Sequence, residues 1–281
     1  MVRLYTDNIC IGYGEQLIIK NLNVEIPNKK ITTIIGPNGC GKSTLLKAIT
    51  RIISPRDGTI ILDGKSILKE NTKLLARKMA FLPQSPEAVI GLTAGELVSY
   101  GRFPYQKGFG NLAKKDYEIV DRALEVTGTT EYKFRPVNSL SGGQRQRVWI
   151  AMALAQETDI IFLDEPTTYL DLAHQLEVLE LLQRLNVEQG RTIVMVLHDL
   201  NQAARFADHI IALKAGEIIK SGSCEEVITD HVLRTVFSID AVIARGPRTN
   251  KPCCTTYNLL KGEKTHEKNT ITDSNDFCAN F

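Results

Sequence analysis

The stretch GPNGCGKST, at residues 36–44, constrains the fold of this chain more than any other feature. It fits the pattern G-x-x-x-x-G-K-[ST] and follows ITTII at residues 31–35, whose β-branched side chains predict a fully buried strand. A helix is predicted from Lys42 to about Arg51. Because glycines let the backbone curl until several N–H groups face one anion, the segment predicts a phosphate-binding loop between a strand and a helix.

The loop supplies the first group of candidate nucleotide contacts. They are Gly36, Pro37, Asn38, Gly39, Cys40, Gly41, Lys42, Ser43 and Thr44. Lys42 is a candidate catalytic residue, expected to reach the β- and γ-phosphates of a nucleoside triphosphate, and Ser43 should offer its hydroxyl to Mg²⁺. Since Cys40 lies within the loop, a thiol reagent should inhibit the protein and bound ATP should protect it.

Two carboxylates follow a second apolar run, in IIFLDEPTT at residues 160–168. A buried strand here would deliver Asp164 at its carboxyl end, where open α/β sheets bind ligands. Asp164 is then a candidate partner of Mg²⁺, and Glu165 a candidate to polarise an attacking water. The alternative is a strand followed by a plain acidic turn, which the phosphate-binding loop disfavours.

Apolar runs alternate with helical patterns along much of the chain, which predicts an α/β fold with a parallel sheet. Strands are predicted at residues 22–26, 31–35, 59–62, 79–83, 159–164, 192–198, 209–214 and 217–222. A helix is predicted over 173–190, with Gly190 as its carboxyl-terminal cap. Residues 84–157 carry no clear strand and are interpreted as a helical insertion, and the polar residues 261–281 as a flexible tail.

Composition favours a soluble globular protein with a proper core, since 43% of the residues are hydrophobic and 23% are charged. The formal net charge of +2 is too near balance to indicate nucleic-acid binding. No apolar run approaches the roughly 18 residues that span a bilayer, and the first residues lack a signal-peptide core. We therefore expect a cytoplasmic protein that can dock on a membrane protein.

Four single residues are ambiguous when each is taken alone. Tyr13 is typical of a turn, and Gln84 of a solvated loop after a strand. Asp171 is typical of a helix cap. His198 follows a predicted strand, where a lone histidine is more often structural or simply exposed.

A second glycine-containing helix start, LSGGQRQR at residues 140–147, raises a question about stoichiometry. Ser141, Gly142 and Gly143 precede an apolar periodic run, so free backbone N–H groups and the positive end of the helix dipole would form another anion site. The chain already has a phosphate-binding loop about a hundred residues earlier.

In their order, these motifs resemble the ATP-binding cassette (ABC) subunits of transporters. The resemblance rests on GPNGCGKST, the glutamine of FLPQ, LSGGQRQR, IIFLDEP, the YLD turn and VLHD. It covers about residues 1–240 and implies a P-loop NTPase (RecA-like) core with an antiparallel β subdomain and an inserted α-helical subdomain. The cassette is expected over residues 1–260, and the helical subdomain, at about 84–157, would carry LSGGQ, the signature.

The resemblance also implies a role for each ambiguous residue. Tyr13 would stack on adenine, Gln84 would contact Mg²⁺ and the attacking water, and Asp171 would link two subunits. His198 would contact the γ-phosphate, and Glu165 would be the catalytic carboxylate. The signature residues would bind the nucleotide held by a second copy of the chain: Ser141, Gly142, Gly143 and Gln144.

Longer segments resemble the ATPase subunits of importers for ferric siderophores, haem and vitamin B12, with the siderophore branch most similar: VSYGRFPYQ, LDEPTTYLDLAHQLEVLELL, VLHDLNQAARFADHI and LRTVFSIDAVI. This likeness implies ATP and Mg²⁺ as cofactors and a head-to-tail dimer at the cytoplasmic face of the cell membrane. It also implies integral membrane permease subunits as partners, indirectly a substrate-binding lipoprotein, and no nucleic acid.

Other readings of the same motifs remain open. A vitamin B12 or haem importer would carry the same motifs, and so would a soluble ATPase of iron–sulfur cluster assembly. DNA-repair and chromosome ATPases are disfavoured because no sustained heptads separate the loop from the signature. A nucleotide-binding module that never hydrolyses is disfavoured by the presence of Lys42, Asp164, Glu165 and His198.

Overall fold

The computed structural model describes residues 2–84, 91–106 and 112–260. Its strands, in chain order, are β1 Leu4–Tyr13, β2 Gln16–Leu22, β3 Glu25–Ile26, β4 Ile31–Ile35, β5 Asp57–Leu62, β6 Lys65–Ser66, β7 Met79–Leu82, β8 Ile160–Leu163, β9 Thr192–Val196, β10 His209–Lys214, β11 Glu217–Gly222, β12 Ile239–Arg245 and β13 Pro252–Leu259. Its α-helices are α1 Lys42–Ile49, α2 Thr72–Ala76, α3 Ala94–Ser99, α4 Lys114–Val126, α5 Gly142–Ala155, α6 Leu172–Gln189, α7 Leu200–Phe206, α8 Cys224–Val227 and α9 Asp230–Phe237.

The central sheet of the described residues has the strand order β11-β10-β4-β9-β8-β7. β10, β4, β9, β8 and β7 run parallel, and β11 pairs antiparallel with β10. Every residue of β4, β8 and β9 is buried, as unbroken apolar and β-branched runs predict for a parallel sheet covered on both faces. The carboxyl ends of the parallel strands meet at one edge, where α/β folds bind ligands.

The predicted elements of this sheet lie close to their observed bounds. β10 and β11 occupy the predicted residues 209–214 and 217–222. The long helix α6 ends at Gln189, and Gly190 caps it in the left-handed conformation, with φ 63°. The α/β fold with a parallel sheet is therefore confirmed.

An antiparallel sheet near the N-terminus has the strand order β2-β1-β5-β6, and β3 also pairs with β1. The sequence predicts one strand over residues 22–26, but the structure divides it. Leu22 ends β2 and Glu25 begins β3; between them Val24 donates its N–H to the hydroxyl of Thr6 at 2.8 Å. The predicted apolar alternation is correct, but the N–H of Val24 bonds to the side chain of Thr6 where a continuous strand would bond to a backbone carbonyl.

The described residues between β7 and β8 are helical, as interpreted from the sequence. They comprise α3, α4, α5 and several 3-10 turns, of which the longest is Tyr100–Tyr105. Leu97, Leu124 and Val148, one from each α-helix, are buried in the same hydrophobic cluster as Leu163 of β8 and Met195 of β9. This cluster joins the helical insertion to the central sheet.

A buried cation fixes the Tyr100–Tyr105 turn to its surroundings. The Arg102 side chain is 4% exposed, and it donates to Asp116 Oδ1 at 2.8 Å, Ala155 O at 2.7 Å and Glu157 Oε2 at 2.9 Å. The Tyr105 ring centroid lies 4.0 Å from the guanidinium carbon. Because α4 carries Asp116 and α5 ends at Ala155, one guanidinium ties both helices to the turn.

The described chain ends in a hairpin, β12–β13, which the sequence patterns did not predict. β13 lies beside α7, where the Asn201 side chain donates to Cys254 O at 3.1 Å and accepts from the Cys254 N–H at 2.8 Å. The segment 261–281, interpreted as a flexible tail, lies outside the described residues. None of the described helices has the length and apolar character needed to cross a membrane.

Candidate nucleotide-binding site

The loop after β4 turns sharply because of its glycines. A Cβ atom at Gly36 would lie 2.1 Å from the carbonyl oxygen of Leu213, so the backbone of β10 leaves no room for a side chain. Gly41 holds a φ of 107° immediately before α1, and no side chain caps that helix. The first N–H groups of α1 are therefore left to an anion or to water.

The Lys42 side chain stabilises the curled backbone of the loop through hydrogen bonds. It is 5% exposed, and its Nζ donates to the carbonyl oxygens of Gly36 and Pro37, each at 2.9 Å. The ammonium thus lies beside the loop backbone, where it would add positive charge to the exposed N–H groups.

Ser43 and Asp164 connect the loop to the carboxyl end of β8. Ser43 Oγ donates to Asp164 Oδ1 at 2.9 Å. Asp164 is 3% exposed, and burial raises the pKa of its carboxyl group, while the Ser43 hydrogen bond partly offsets that rise. A hydroxyl and a buried carboxylate are the oxygen ligands that a hard divalent cation prefers.

Glu165 holds three other side chains around its carboxylate. Its Oε1 lies 2.6 Å from His198 Nε2, and its Oε2 accepts hydrogen bonds from Gln84 Nε2 and, at 3.0 Å, from Thr168 Oγ1. The Glu165 side chain is 10% exposed, and its φ of 52° is left-handed. Residues that follow β7, β8 and β9 thus converge on one carboxylate, which is fixed well enough to orient a water.

A cavity of about 410 Å³ opens beside these groups. Its lining residues come from the loop and from distant parts of the chain: Ile18, Asn38, Gly39, Gly41, Lys42, Ser43, Thr44, Gln84, Glu165 and His198. The structure therefore brings together most of the predicted loop contacts with three of the candidates predicted elsewhere in the sequence.

Other predicted residues contribute from outside this lining. Tyr13 ends β1 and is 49% exposed; the β1–β2 hairpin that carries it also carries Ile18, which lines the cavity. Gly36 and Pro37 offer their carbonyl oxygens to Lys42, as described above. Asp164 does not line the cavity, but it accepts a hydrogen bond from Ser43, which does.

Cys40 lies in the loop, but its side chain belongs to the hydrophobic core and is 4% exposed. Burial also raises the pKa of the thiol, so the reactive thiolate form is scarce. The structure therefore argues against the rapid reaction with thiol reagents that the sequence position of Cys40 predicts.

The signature begins α5 where the sequence predicts a helix start. Ser141 caps the helix: its Oγ accepts from the Gln144 N–H at 3.3 Å, and Gln144 Oε1 accepts from the Ser141 N–H at 3.0 Å. In this chain the signature residues do not line the described cavity. Instead, Gly143 packs against His174, and Asp171 caps α6 by accepting the His174 N–H at 2.9 Å.

Sequence reasoning missed three side chains here: Ile18, Thr168 and His174. Thr168 follows Glu165 by three residues, and His174 follows Asp171 by three. A polar residue three positions after a capping or turn residue is a usable signal, since one turn returns it to the same face. Ile18 offers no such signal, because it is one member of an ordinary apolar strand.

Comparison with known proteins agrees with this geometry. The sequence pattern of the ABC transporter family matches residues 19–168. The chain is 61% identical over 264 residues to the Iron(3+)-hydroxamate import ATP-binding protein FhuC of Bacillus subtilis (strain 168), a match covering 94% of this chain and 98% of that protein. It is 45% identical to the Ferric enterobactin transport ATP-binding protein FepC of Escherichia coli (strain K12), over 90% of this chain and 93% of that protein.

Solved structures give the same answer. A putative metal-chelate type ABC transporter in an inward-facing conformation matches with a TM-score of 0.78 and 30% identity, covering 92% of this chain and 98% of that chain. A dimeric bacterial ABC transporter cassette matches with a TM-score of 0.70 and 34% identity, covering 78% and 98%. With the loop, the carboxylates and the signature in the arrangement described, the chain belongs to the ABC transporter family, as an ATP-binding cassette.

Proposed function

We propose that this chain is the ATP-hydrolysing subunit of an importer for ferric siderophores, working as a head-to-tail pair at the cytoplasmic face of the membrane. The cargo is supported by the likeness to proteins named for iron(3+)-hydroxamate and ferric enterobactin. The observation that carries the chemistry is the contact of Glu165 with Gln84 and His198 beside the loop. We assign the cassette to residues 1–260, with a helical subdomain at about 84–157 and a tail at 261–281.

The residues present fit a nucleoside triphosphate with Mg²⁺. The loop is open at Gly39, where an added Cβ atom would meet nothing within 4 Å. Lys42 supplies a cation for the phosphates, while Ser43, Asp164 and the amide of Gln84 are oxygen ligands suited to Mg²⁺. When bound, Mg²⁺ supplies a Lewis acid that neutralises phosphate charge.

Glu165 is proposed as the general base that orients the attacking water. Its hydrogen bonds to Gln84, His198 and Thr168 leave the carboxylate little freedom, so that little reorganisation is needed as charge develops. His198 and Lys42 would stabilise the negative charge that develops on the transferring phosphoryl group.

The base end of the nucleotide is assigned to the N-terminal hairpin. Tyr13 stands half-exposed on the hairpin whose next strand brings Ile18 into the cavity lining. An exposed aromatic ring on this rim offers a stacking face for adenine.

The position of the signature supports a pair of chains. In one copy Ser141–Gln144 lie outside the lining of the cavity. Near them, Tyr169 and Leu172 are 86% and 68% exposed, and a second chain docked here would remove this apolar surface from water. In a head-to-tail pair the signature and Asp171 of one copy would approach the loop of the other and complete its site.

The helical insertion offers a surface for a permease. Tyr100 and Phe103 stack with ring centroids 4.6 Å apart, and they remain 40% and 50% exposed. Exposed aromatic pairs of this kind are enriched in protein interfaces. We assign this surface to an integral membrane permease, through which a substrate-binding lipoprotein would act without touching this chain.

The cargo is tested by uptake. In cells given a ferric hydroxamate as their only iron source, replacing the chain with its Glu165→Gln variant should abolish iron uptake and growth, and free iron salts should restore growth. The chain should also co-purify with a polytopic permease from solubilised membranes. If the variant cells keep hydroxamate uptake but lose uptake of vitamin B12 or haem, the cargo is that compound and not a ferric siderophore. Loss of iron–sulfur enzyme activities, with the chain in the soluble fraction, would favour the assembly ATPase.

A further inference from the structure

His174 stands at the junction of two segments that the proposed pair of chains requires. Its Nδ1 lies 2.8 Å from Asp171 Oδ1, and its backbone N–H donates to the same oxygen at 2.9 Å. Because an ionised carboxylate only accepts, Nδ1 carries the proton in this bond. The two bonds also lower the pKa of the Asp171 carboxyl group, the backbone bond contributing most. Asp171 is thereby held as an anion in one orientation at the start of α6.

The same imidazole packs against the signature. A Cβ atom added at Gly143 would lie 2.5 Å from His174 Cδ2 and 2.8 Å from its Cγ, closer than real contacts allow. At Gly142 the nearest neighbour of an added Cβ atom would be Leu170 Cδ2, at 3.6 Å. Gly143 does not have a positive φ. It is therefore the imidazole, rather than the backbone conformation, that leaves no room for a Cβ atom at this position.

We propose that His174 is a positioning residue that holds the signature glycines and Asp171 as one rigid unit, so that both reach the nucleotide site of the second copy together. The inference rests on the proposed function, since it needs the head-to-tail pair. His174 itself contacts no reacting atom: it acts through the contact of its ring with Gly143 and through its hydrogen bonds to Asp171. At 37% side-chain exposure it is covered by these two segments only in part.

The test uses the full chain carrying Glu165→Gln, in which ATP-dependent pairing can be measured by analytical ultracentrifugation. His174→Ala removes the ring and the bond, His174→Asn keeps a donor near the Nδ1 position, and His174→Leu keeps volume without a donor. The matched control is His231→Ala, at an exposed histidine on α9. We expect His174→Ala to weaken pairing roughly tenfold, the size of effect found when neighbouring groups of one network are uncoupled. Binding of ATP to the single chain should not change.

A positioning role for His174 predicts that its variants lose pairing alone, whereas a merely structural role predicts that they lose ATP affinity and stability together. His174→Asn and His174→Leu should each restore part of the pairing, and neither should change the ATP affinity of the single chain. A loss of ATP affinity in proportion to a loss of unfolding free energy would make His174 an ordinary structural residue and overturn the proposal. Pairing by His174→Ala equal to that of His231→Ala would overturn it as well.

A failure of the proposed function can be told apart from a failure of the proposal about His174. If the Glu165→Gln parent stays single at saturating ATP with Mg²⁺, the head-to-tail pair itself is refuted. Hydrogen exchange at the amides of residues 142–144 in the single chain then decides about His174. Faster exchange in His174→Ala than in His231→Ala would support the rigid unit, and equal exchange would overturn it.

Discussion

The sequence position of Cys40 suggests a thiol that reacts readily, but the environment of the side chain disfavours that reaction. The residue lies in the phosphate-binding loop, yet its thiol packs in the core and its pKa is raised by burial. We expect Cys40 to react with a maleimide at neutral pH roughly tenfold more slowly than the half-buried Cys10, because both access and thiolate fraction are reduced. Mass spectrometry of the labelled peptides over time measures both rates. Equal rates would mean that the loop opens far more than its packing suggests.

Gly142 and Gly143 form a matched pair of adjacent glycines in one helical turn. Gly142→Ala should leave the unfolding free energy unchanged or raise it by up to about 1 kcal/mol, since alanine restricts the unfolded chain more than glycine does. Gly143→Ala should lower it by about 1–3 kcal/mol, because the new methyl group meets the His174 ring. Urea denaturation measures both changes. Adding His174→Ala to Gly143→Ala should recover part of the loss; no recovery would show that the imidazole is not the obstacle.

At the scale of elements, Arg102 joins the 3-10 turn to the ends of α4 and α5. Arg102→Ala should lower the unfolding free energy by about 1–3 kcal/mol, because Asp116, which is 16% exposed, loses the cation that compensates its charge, whereas solvent compensates Glu157, which is 42% exposed. Arg122→Ala, at an exposed arginine on α4, should change it by no more than about 0.5 kcal/mol. Chemical denaturation of both variants provides the comparison. Similar small losses would show that solvent replaces the guanidinium easily.

The elements differ in how far the sequence predicts them. β10 follows Asp208 and is separated from β11 by the two-residue turn Ala215-Gly216, so the apolar runs mark the ends of both strands, and α6 is closed by Gly190. β1 and β2 were missed because the apolar alternation breaks within each strand, at the exposed pair Asp7–Asn8 in β1 and at the exposed pair Lys20–Asn21 in β2. The β12–β13 hairpin has an exposed outer face with residues such as Val242 and Tyr257, so its pattern does not resemble a half-buried strand.

The same limit applies to the site. The loop, Asp164 and Glu165 follow from local patterns, because a strand end and a helix start suffice to place them. The contacts among Gln84, Glu165 and His198 depend on the strand order β9-β8-β7, which places three distant carboxyl ends side by side. No local pattern contains that order, so their meeting is a property of the sheet and not of any one motif.

At the scale of the whole molecule, the decisive question is how many chains make one working site. Glu165→Gln should bind ATP, hydrolyse it roughly 10²–10⁴-fold more slowly and accumulate as a pair, because the proposed base is lost while the nucleotide contacts remain. Light scattering with size-exclusion chromatography in Mg-ATP measures the mass, and phosphate release measures the rate. Glu118→Gln, at an exposed glutamate on α4, serves as the control and should hydrolyse normally. A single chain at saturating Mg-ATP would contradict the assigned role.

The two hydrogen bonds between Asn201 and Cys254 limit where this chain can be truncated. Asn201 lies in the helix that follows His198, and its amide is matched by both the N–H and the carbonyl of Cys254, more than fifty residues later. A chain ending before Pro252 would lose the strand that supports this helix, and with it a support for the neighbouring site. A chain ending after Leu260 would keep it. Truncations and fusion points for this protein are therefore best placed beyond β13.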